Sequence, residues 1–415
     1  MTQGAPGHPT GPAVPAGPVP DASIGRAGGL PASWLPPITA GFVAVLVGFT
    51  SSAVIVFQAA AAAGATPAQT GSWMLSLGIG LAITCIALSW RYRMPIITAW
   101  STPGAALLAT SLVGVPMADA IGAFMFCGLL IFLSGVTGWF ERIINHIPVP
   151  LAAALLAGVL ARFGIDAVVA VGAQPGLVLA MFAAYLAGRR WLPRYAVILV
   201  LLTGIALAAV LGLLRVELLA ITIAVPQFVM PAFSPAVLLG VGLPLFVVTM
   251  ASQNVPGVAV LKAFGYRPPV SPIIAWTGAA TVLLSPFGAF AINLAAITAA
   301  ICCSPQAHED PALRHRSAFA AGCFYLLLGL LGTSVALLFA ALPGELVAAL
   351  AGLALLATIG NALTTATTSE HWREPALVTF LVTLSGISLF NIGAAFWGLV
   401  AGALAAWILG AWRSA

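Results

Sequence analysis

From residue 37 to residue 412 the chain alternates long apolar runs with brief polar interruptions. The runs recur at the length that crosses a bilayer, about 20 residues. About fourteen can be drawn, over 38–62, 71–90, 95–113, 119–140, 148–164, 170–188, 195–214, 234–262, 270–284, 285–303, 317–341, 344–360, 374–390 and 392–412. Several are too short or too broken to be plain spanning helices. Two are broken in the same manner. In Met94–Thr110, Pro95 and Pro103 interrupt an apolar stretch, and a residue ahead of a proline is pushed out of the helical region. The pattern predicts a few extended residues, then a helix with Pro103 in its first turn and Ser101 or Thr102 as its cap. Leu284–Thr298 repeats the design with Pro286 and Gly288. A helix that begins inside a bilayer leaves its first N–H groups in need of a partner. Two such segments at matching places in two halves of a chain point to the binding site of a secondary transporter.

Composition narrows the class. The 415 residues are 61% hydrophobic and 6% charged, with mean hydropathy +1.10, which describes a polytopic membrane protein and no soluble domain. The net charge of +5 does not indicate nucleic acid, because the arginines stand singly between apolar runs. With a cytoplasmic N-terminus, Arg162 and Arg215 fall on the outer side and the other thirteen of the 15 basic residues on the inner side. That asymmetry follows the positive-inside rule and predicts both termini inside. Residues 1–33 form a Pro/Gly/Ala-rich tail without the basic start and apolar core of a signal peptide, and disorder is expected of it. Cys85, Cys127, Cys302, Cys303 and Cys323 all fall in apolar segments and read as small buried side chains.

Pro148-Val-Pro-Leu and Pro343-Gly-Glu-Leu open two short helices 195 residues apart, and Gly104 and Gly288 lie 184 residues apart in the two broken segments. Seven segments separate the halves. Seven is odd, so the repeats are inverted in the membrane. The expected organisation is a repeat over 34–214, a connecting loop over 215–233 and a second repeat over 234–412.

Polar side chains are few, so each one counts. Ser252, Gln253 and Asn254 stand together beside Pro256-Gly257 in the eighth segment. Amides buried in an apolar bundle need partners, which suits either a substrate or proton site or hydrogen-bonded helix packing. Thr50-Ser51-Ser52 with Gln58 is a weaker patch, since membrane hydroxyls commonly bond their own helix. Asn293 reads as one turn into the second broken helix, and Trp100, Phe287 and Phe290 flank the two helix starts, where a ring could stack. No charged residue is placed clearly in mid-membrane. The only lysine is Lys262, so no Walker A pair exists, and no zinc-protease or serine-hydrolase motif is present. Nor is there a repeated carbonyl or charge ring of the kind that builds a channel filter.

Over Trp34–Trp412 the sequence resembles the benzoate/proton symporter (BenE-type) family. The resemblance is carried by Thr98-Ala-Trp-Ser-Thr-Pro-Gly-Ala-Ala-Leu108, Met250-Ala-Ser-Gln-Asn-Val-Pro-Gly-Val258 and Asn293-Leu-Ala-Ala-Ile-Thr-Ala-Ala-Ile301, with the loop Pro305–Pro311. It implies an all-α membrane fold shared with nucleobase and bicarbonate carriers. In that fold two inverted seven-segment repeats form a core and a gate, and the third and tenth segments each run from a short strand into a half-helix. Nucleobase carriers place glutamates in the eighth and tenth segments. Here those regions offer Gln253, Asn254 and Asn293, which disfavours a nucleobase.

The function implied is import of benzoate or a similar aromatic carboxylate with protons, by alternating access, in a bacterial inner membrane. A carrier or passive channel for another small organic anion is the alternative. Expected substrate contacts are Thr98, Trp100, Ser101, Thr102 and Gly104 in the third segment and Ser252, Gln253 and Asn254 in the eighth. Phe287, Gly288, Ala289, Phe290 and Asn293 in the tenth and Ser51 in the first complete the set. No catalytic residue, metal or cofactor is expected. The partners are the aromatic carboxylate, protons and the lipid bilayer, with a second copy of the chain as a candidate.

Overall fold

The computed structural model describes residues 34–140, 148–192, 196–215, 217, 221–387, 389 and 394–411, without the side chains of Thr50 and Ser51. The expected tail, 1–33, lies outside them. The first half contains α1 (Leu35–Ala62), α2 (Pro67–Tyr92), β1 (Thr98–Trp100), α3 (Thr102–Ser111), α4 (Met117–Val136), α5 (Val149–Ala173), α6 (Pro175–Trp191) and α7 (Ala196–Val210). Then come α8 (Pro235–Ala263), α9 (Val270–Leu284), β2 (Ile292–Leu294), α10 (Ile297–Cys303), α11 (His315–Leu330), α12 (Gly332–Ala341), α13 (Gly344–Thr367), α14 (Glu370–Ser385) and α15 (Ala394–Ile408).

Taken in order, with each strand joined to its half-helix and α11 to α12, these are the fourteen segments read from the sequence. Six of the described helices are long and apolar enough to cross a membrane, or up to eight if each of two bent pairs is one span. Several boundaries shift, the run drawn over 344–360 continuing to Thr367. The run drawn over 148–164 continues unbroken to Ala173, so Arg162, read above as falling on the outer side, stands well inside α5 together with Asp166. The pair is spaced i,i+4 on the helix, Nε to Oδ1 3.6 Å, and the helix carries on through it.

Packing separates two bodies. Helix α2 lies against α11, α4 against α9, and α1 against α3, α10 and α11, forming the core. Helix α5 lies against α13 and α14, α6 against α7, and α14 against α15, forming the gate. Small residues allow the closest approach: a Cβ on Gly78 of α2 would stand 2.8 Å from the Cα of Gly329 of α11.

β1 and β2 are antiparallel, with Thr98 opposite Leu294, Ala99 opposite Asn293 and Trp100 opposite Ile292. Ser101 N–H to Ala291 O (3.1 Å) and Ala295 N–H to Ile97 O (2.9 Å) extend the ladder at both ends. Since the strands run oppositely, α3 and α10 leave the ladder in opposite directions, as inverted repeats require.

The seven-residue α10 is too short to hold itself together. Buried Arg314 donates to Cys303 O (2.8 Å), His308 O (2.7 Å) and Glu309 O (3.2 Å), and Ser317 donates to Cys302 O (3.2 Å). A cation at a helix C-terminus also complements the helix dipole. Beside it, Tyr266 in the α8–α9 connection donates to Pro311 O (2.9 Å), and burial raises its phenol above the usual value. Four of the five cysteines are buried as expected; Cys323 is exposed, on the outer face of α11.

Candidate functional site

The strand pair brings the two half-helix starts together with α1 and α8. Ser101 caps α3 by accepting from Gly104 N–H (3.0 Å) and also accepts from the Thr249 hydroxyl of α8 (3.0 Å). Its own hydroxyl hydrogen is left to donate. Pro103 has no N–H and Ala105 N–H returns to Ser101 O, so Thr102 N–H alone of the first turn of α3 remains for a ligand. At α10 no side chain caps the helix, and the N–H groups of Ile297, Thr298 and Ala299 have no acceptor among the described residues.

Trp100 forms one wall. Its indole N–H donates to Ser52 Oγ (3.0 Å), and its ring meets Phe49 edge-on (centroids 5.8 Å) and Tyr325 (6.1 Å). Thr298 and the Tyr325 hydroxyl converge on Gly48: a Cβ built there would lie 3.1 Å from Thr298 Cγ2 and 3.5 Å from the Tyr325 oxygen. The Thr298 hydroxyl is buried and has no partner among the described residues.

Helix α8 widens into a π turn at Met250–Asn254, over the very amides singled out above. Such turns are frequent at functional sites because the extra residue leaves side chains re-aimed. Asn254 is spent structurally, accepting from Leu294 N–H (2.9 Å) of β2 and donating to Met250 Sδ (3.1 Å). Ser252 bonds back to Val248 O. Half-buried Gln253 makes no hydrogen bond among the described residues. Asn293 donates to Ala291 O (2.8 Å), while its Oδ1 is buried without a partner. No charged side chain is among these residues.

Several expected contacts are placed elsewhere. Thr98 is fully buried against Thr84 (2.6 Å) and Cys85, facing α2. Asn293 is in β2 and not in the helix, because a 3-10 turn at Ser285–Phe287 and the strand intervene before α10 starts at Ile297. Phe287, Gly288, Ala289 and Phe290 form the turn ahead of β2. Ser72 and Ser76 hold Phe287 O, Ala289 is buried, and Phe290 packs on Trp73 and Phe124 (5.7 Å to the latter). They are therefore not brought to the helix start. The Ser51 and Thr50 side chains lie outside the described residues, and their neighbour Ser52 is the one that meets Trp100. Phe49, Tyr325 and Thr298 were not picked out from the sequence. Tyr325 had no local signal, being more than 200 residues from Trp100 and joined to it only by the fold.

The sequence profile of the benzoate membrane transport protein family (BenE) matches residues 32–408. The chain belongs to that family. It is 49% identical over 367 residues to inner membrane protein YdcO of Escherichia coli (strain K12), covering 88% of this chain and 94% of that one. It is 40% identical over 370 residues to the benzoate membrane transport protein of Acinetobacter baylyi, covering 89% and 94%. Among solved structures, it is similar to the transmembrane domain of the cyanobacterial bicarbonate transporter BicA. There the TM-score is 0.54 at 14% identity, over 92% of this chain and 98% of that one. The likeness is one of fold, the inverted-repeat arrangement of core and gate. This family member is a multi-pass membrane transporter.

Proposed function

We propose that the chain imports benzoate or a similar aromatic carboxylate together with protons, by alternating access of the core against the gate. The observation that carries this reading is the meeting of two opposed half-helix starts beside the Trp100 wall, with no charged side chain present. Helix N-termini bind anions through free N–H groups and the dipole, so a carboxylate needs no arginine there. The carboxylate takes Thr102 N–H, the Ser101 hydroxyl and the first N–H groups of α10. The ring lies on Trp100 and Phe49 beside the unpartnered Thr298 hydroxyl, while Asn293, opposite Ala99, offers its unpartnered Oδ1 from the other face of the strand pair. Gly104 lets α3 approach Leu245 of α8 and leaves room for the Ser101 cap. The relative from Acinetobacter baylyi, named for benzoate, supports the substrate class.

Proton coupling has an energetic basis. Moving one negative charge inward against the membrane potential costs about 2.3 kcal/mol per 100 mV, and one accompanying proton cancels that cost. We place the protein in the bacterial inner membrane with both termini cytoplasmic, as the basic residues indicate, and its repeats over 34–214 and 234–412. The test is uptake of labelled benzoate into proteoliposomes with and without an imposed pH gradient. Accumulation should follow the pH gradient and ignore sodium. Sodium-stimulated uptake at constant pH would overturn the coupling, and equilibration without accumulation would favour a passive pathway.

A further inference from the structure

Every basic residue in the described helices lies in a first or last turn except Arg162. It is thirteen residues into the 25-residue α5, about 20 Å along its axis. An ionisable residue inside a span is retained where it faces a cavity and serves a pathway. Arg162 faces one: a cavity of about 910 Å³ between gate helix α5, α3 and α8, bordered by the α3–α4 turn and by the described ends of α14 and α15. The topology proposed above puts the α3–α4 turn at Val113–Pro116, which lines the same cavity, on the outer side.

We propose that Arg162 is the docking cation of a separate outer binding site in this cavity, which takes the carboxylate of an aromatic acid before it reaches the half-helices. This rests on the anion-carrier reading above. The cavity is within the size range of small-molecule sites. Val159, Val237, Val241 and Ala395 give the ring apolar walls; the Thr110 and Ser385 hydroxyls also line the cavity but donate to Leu107 O (2.9 Å) and Val382 O (2.7 Å), which leaves the guanidinium to hold the carboxylate. Arg162 is held by a single contact, Nε to Asp166 Oδ1 at 3.6 Å, with the two side chains 58% and 52% exposed. Both terminal NH2 groups remain free for a carboxylate, which a guanidinium grips through two parallel bonds. An exposed pair of this kind is weak, so Asp166 yields to an incoming acid readily. Asp119 on the core wall and Asp166 outweigh Arg162 in charge, so an anion is held by the guanidinium's geometry and not by a general positive field. Release toward the inner site stays easy for that reason.

The floor separates the two sites. α5 packs on α3 and on the π turn of α8, and Ser101 does not line the outer cavity. The outer cavity reaches α3 only at Ala109–Ser111, eight or more residues beyond Ser101.

The test uses full-length protein in proteoliposomes with Arg162→Gln, Arg162→Lys and Asp166→Asn. Arg162→Gln should raise the KM for benzoate at least tenfold while the maximal rate stays within about twofold. Arg162→Lys should fall between, and Asp166→Asn, which removes the competitor, should lower KM about twofold. An unchanged KM in Arg162→Gln, or a rise in Asp166→Asn equal to that in Arg162→Gln, would reduce the pair to helix stabilisation and overturn the site.

A second readout does not depend on transport or on the glutamine variant folding. In a Cys323→Ser background, Ser385→Cys at the cavity rim is labelled with an anionic thiosulfonate reagent. Benzoate should slow the reaction at least fivefold with Arg162 present, and benzamide should not. Absence of protection overturns the outer site even where uptake is intact. Protection without uptake strikes the transport reading alone.

Discussion

Gly288 shows how a single residue's role is decided by its surroundings. Its φ is +98°, and a Cβ there would collide with the indole of Trp73. Gly288→Val should therefore abolish folding, read as loss of a monodisperse species in detergent, and reports nothing on binding. Gly104 differs in degree: its Cβ would meet Leu245 Cδ1 at 2.6 Å and the Ser101 side chain at 2.8 Å, disturbing the cap and the α3–α8 contact. The two amides separate in the opposite sense. Asn254→Ala strips Leu294 N–H of its acceptor and should cost about 1–3 kcal/mol of stability. Asn293→Ala removes an oxygen with no partner among the described residues and a donor to Ala291 O, which Ser101 N–H still serves, so it should cost less stability than Asn254→Ala and weaken benzoate affinity by about 1–3 kcal/mol. Equal losses of stability in both variants would remove Asn293 from the binding site.

Among the elements, the half-helix α3 was legible in its sequence almost residue by residue, because Pro103 and Ser101 act locally and α3 begins where they dictate. The partner element was legible only in outline. Pro286 and Gly288 do mark a break, but they close a 3-10 turn, and the helix starts nine residues after Gly288, at a point with no capping side chain. What sets that start is the pairing of β2 with β1, a contact about 200 residues distant in the chain. The π turn at Met250–Asn254 lay under a cluster of polar residues already conspicuous in the sequence, though its geometry was not readable there. Ser101→Ala should cost α3 about 1 kcal/mol through the lost cap. It also removes a ligand donor, so affinity should fall further than the melting temperature accounts for. A variant in which both change in proportion would leave Ser101 a cap alone.

For the whole molecule, orientation is tested by cysteine substitution at exposed Arg190 and Arg267 on one side and Val113 on the other. An impermeant reagent applied to intact cells should label Val113→Cys only. Labelling of either arginine site would break the fourteen-segment topology. Arg314 makes a poor reporter there, since it is buried and fastens the end of α10 to the following helix. That fastening bears on how the family can diversify. The two recognition arms are sewn together by β1 and β2 at one end, and α10 is riveted to α11 at the other, so they travel as one part. On the proposed reading, substitutions around Trp100 act on both half-helix starts at once, while a substitution on a gate helix reaches the cargo only from the outer cavity at Arg162.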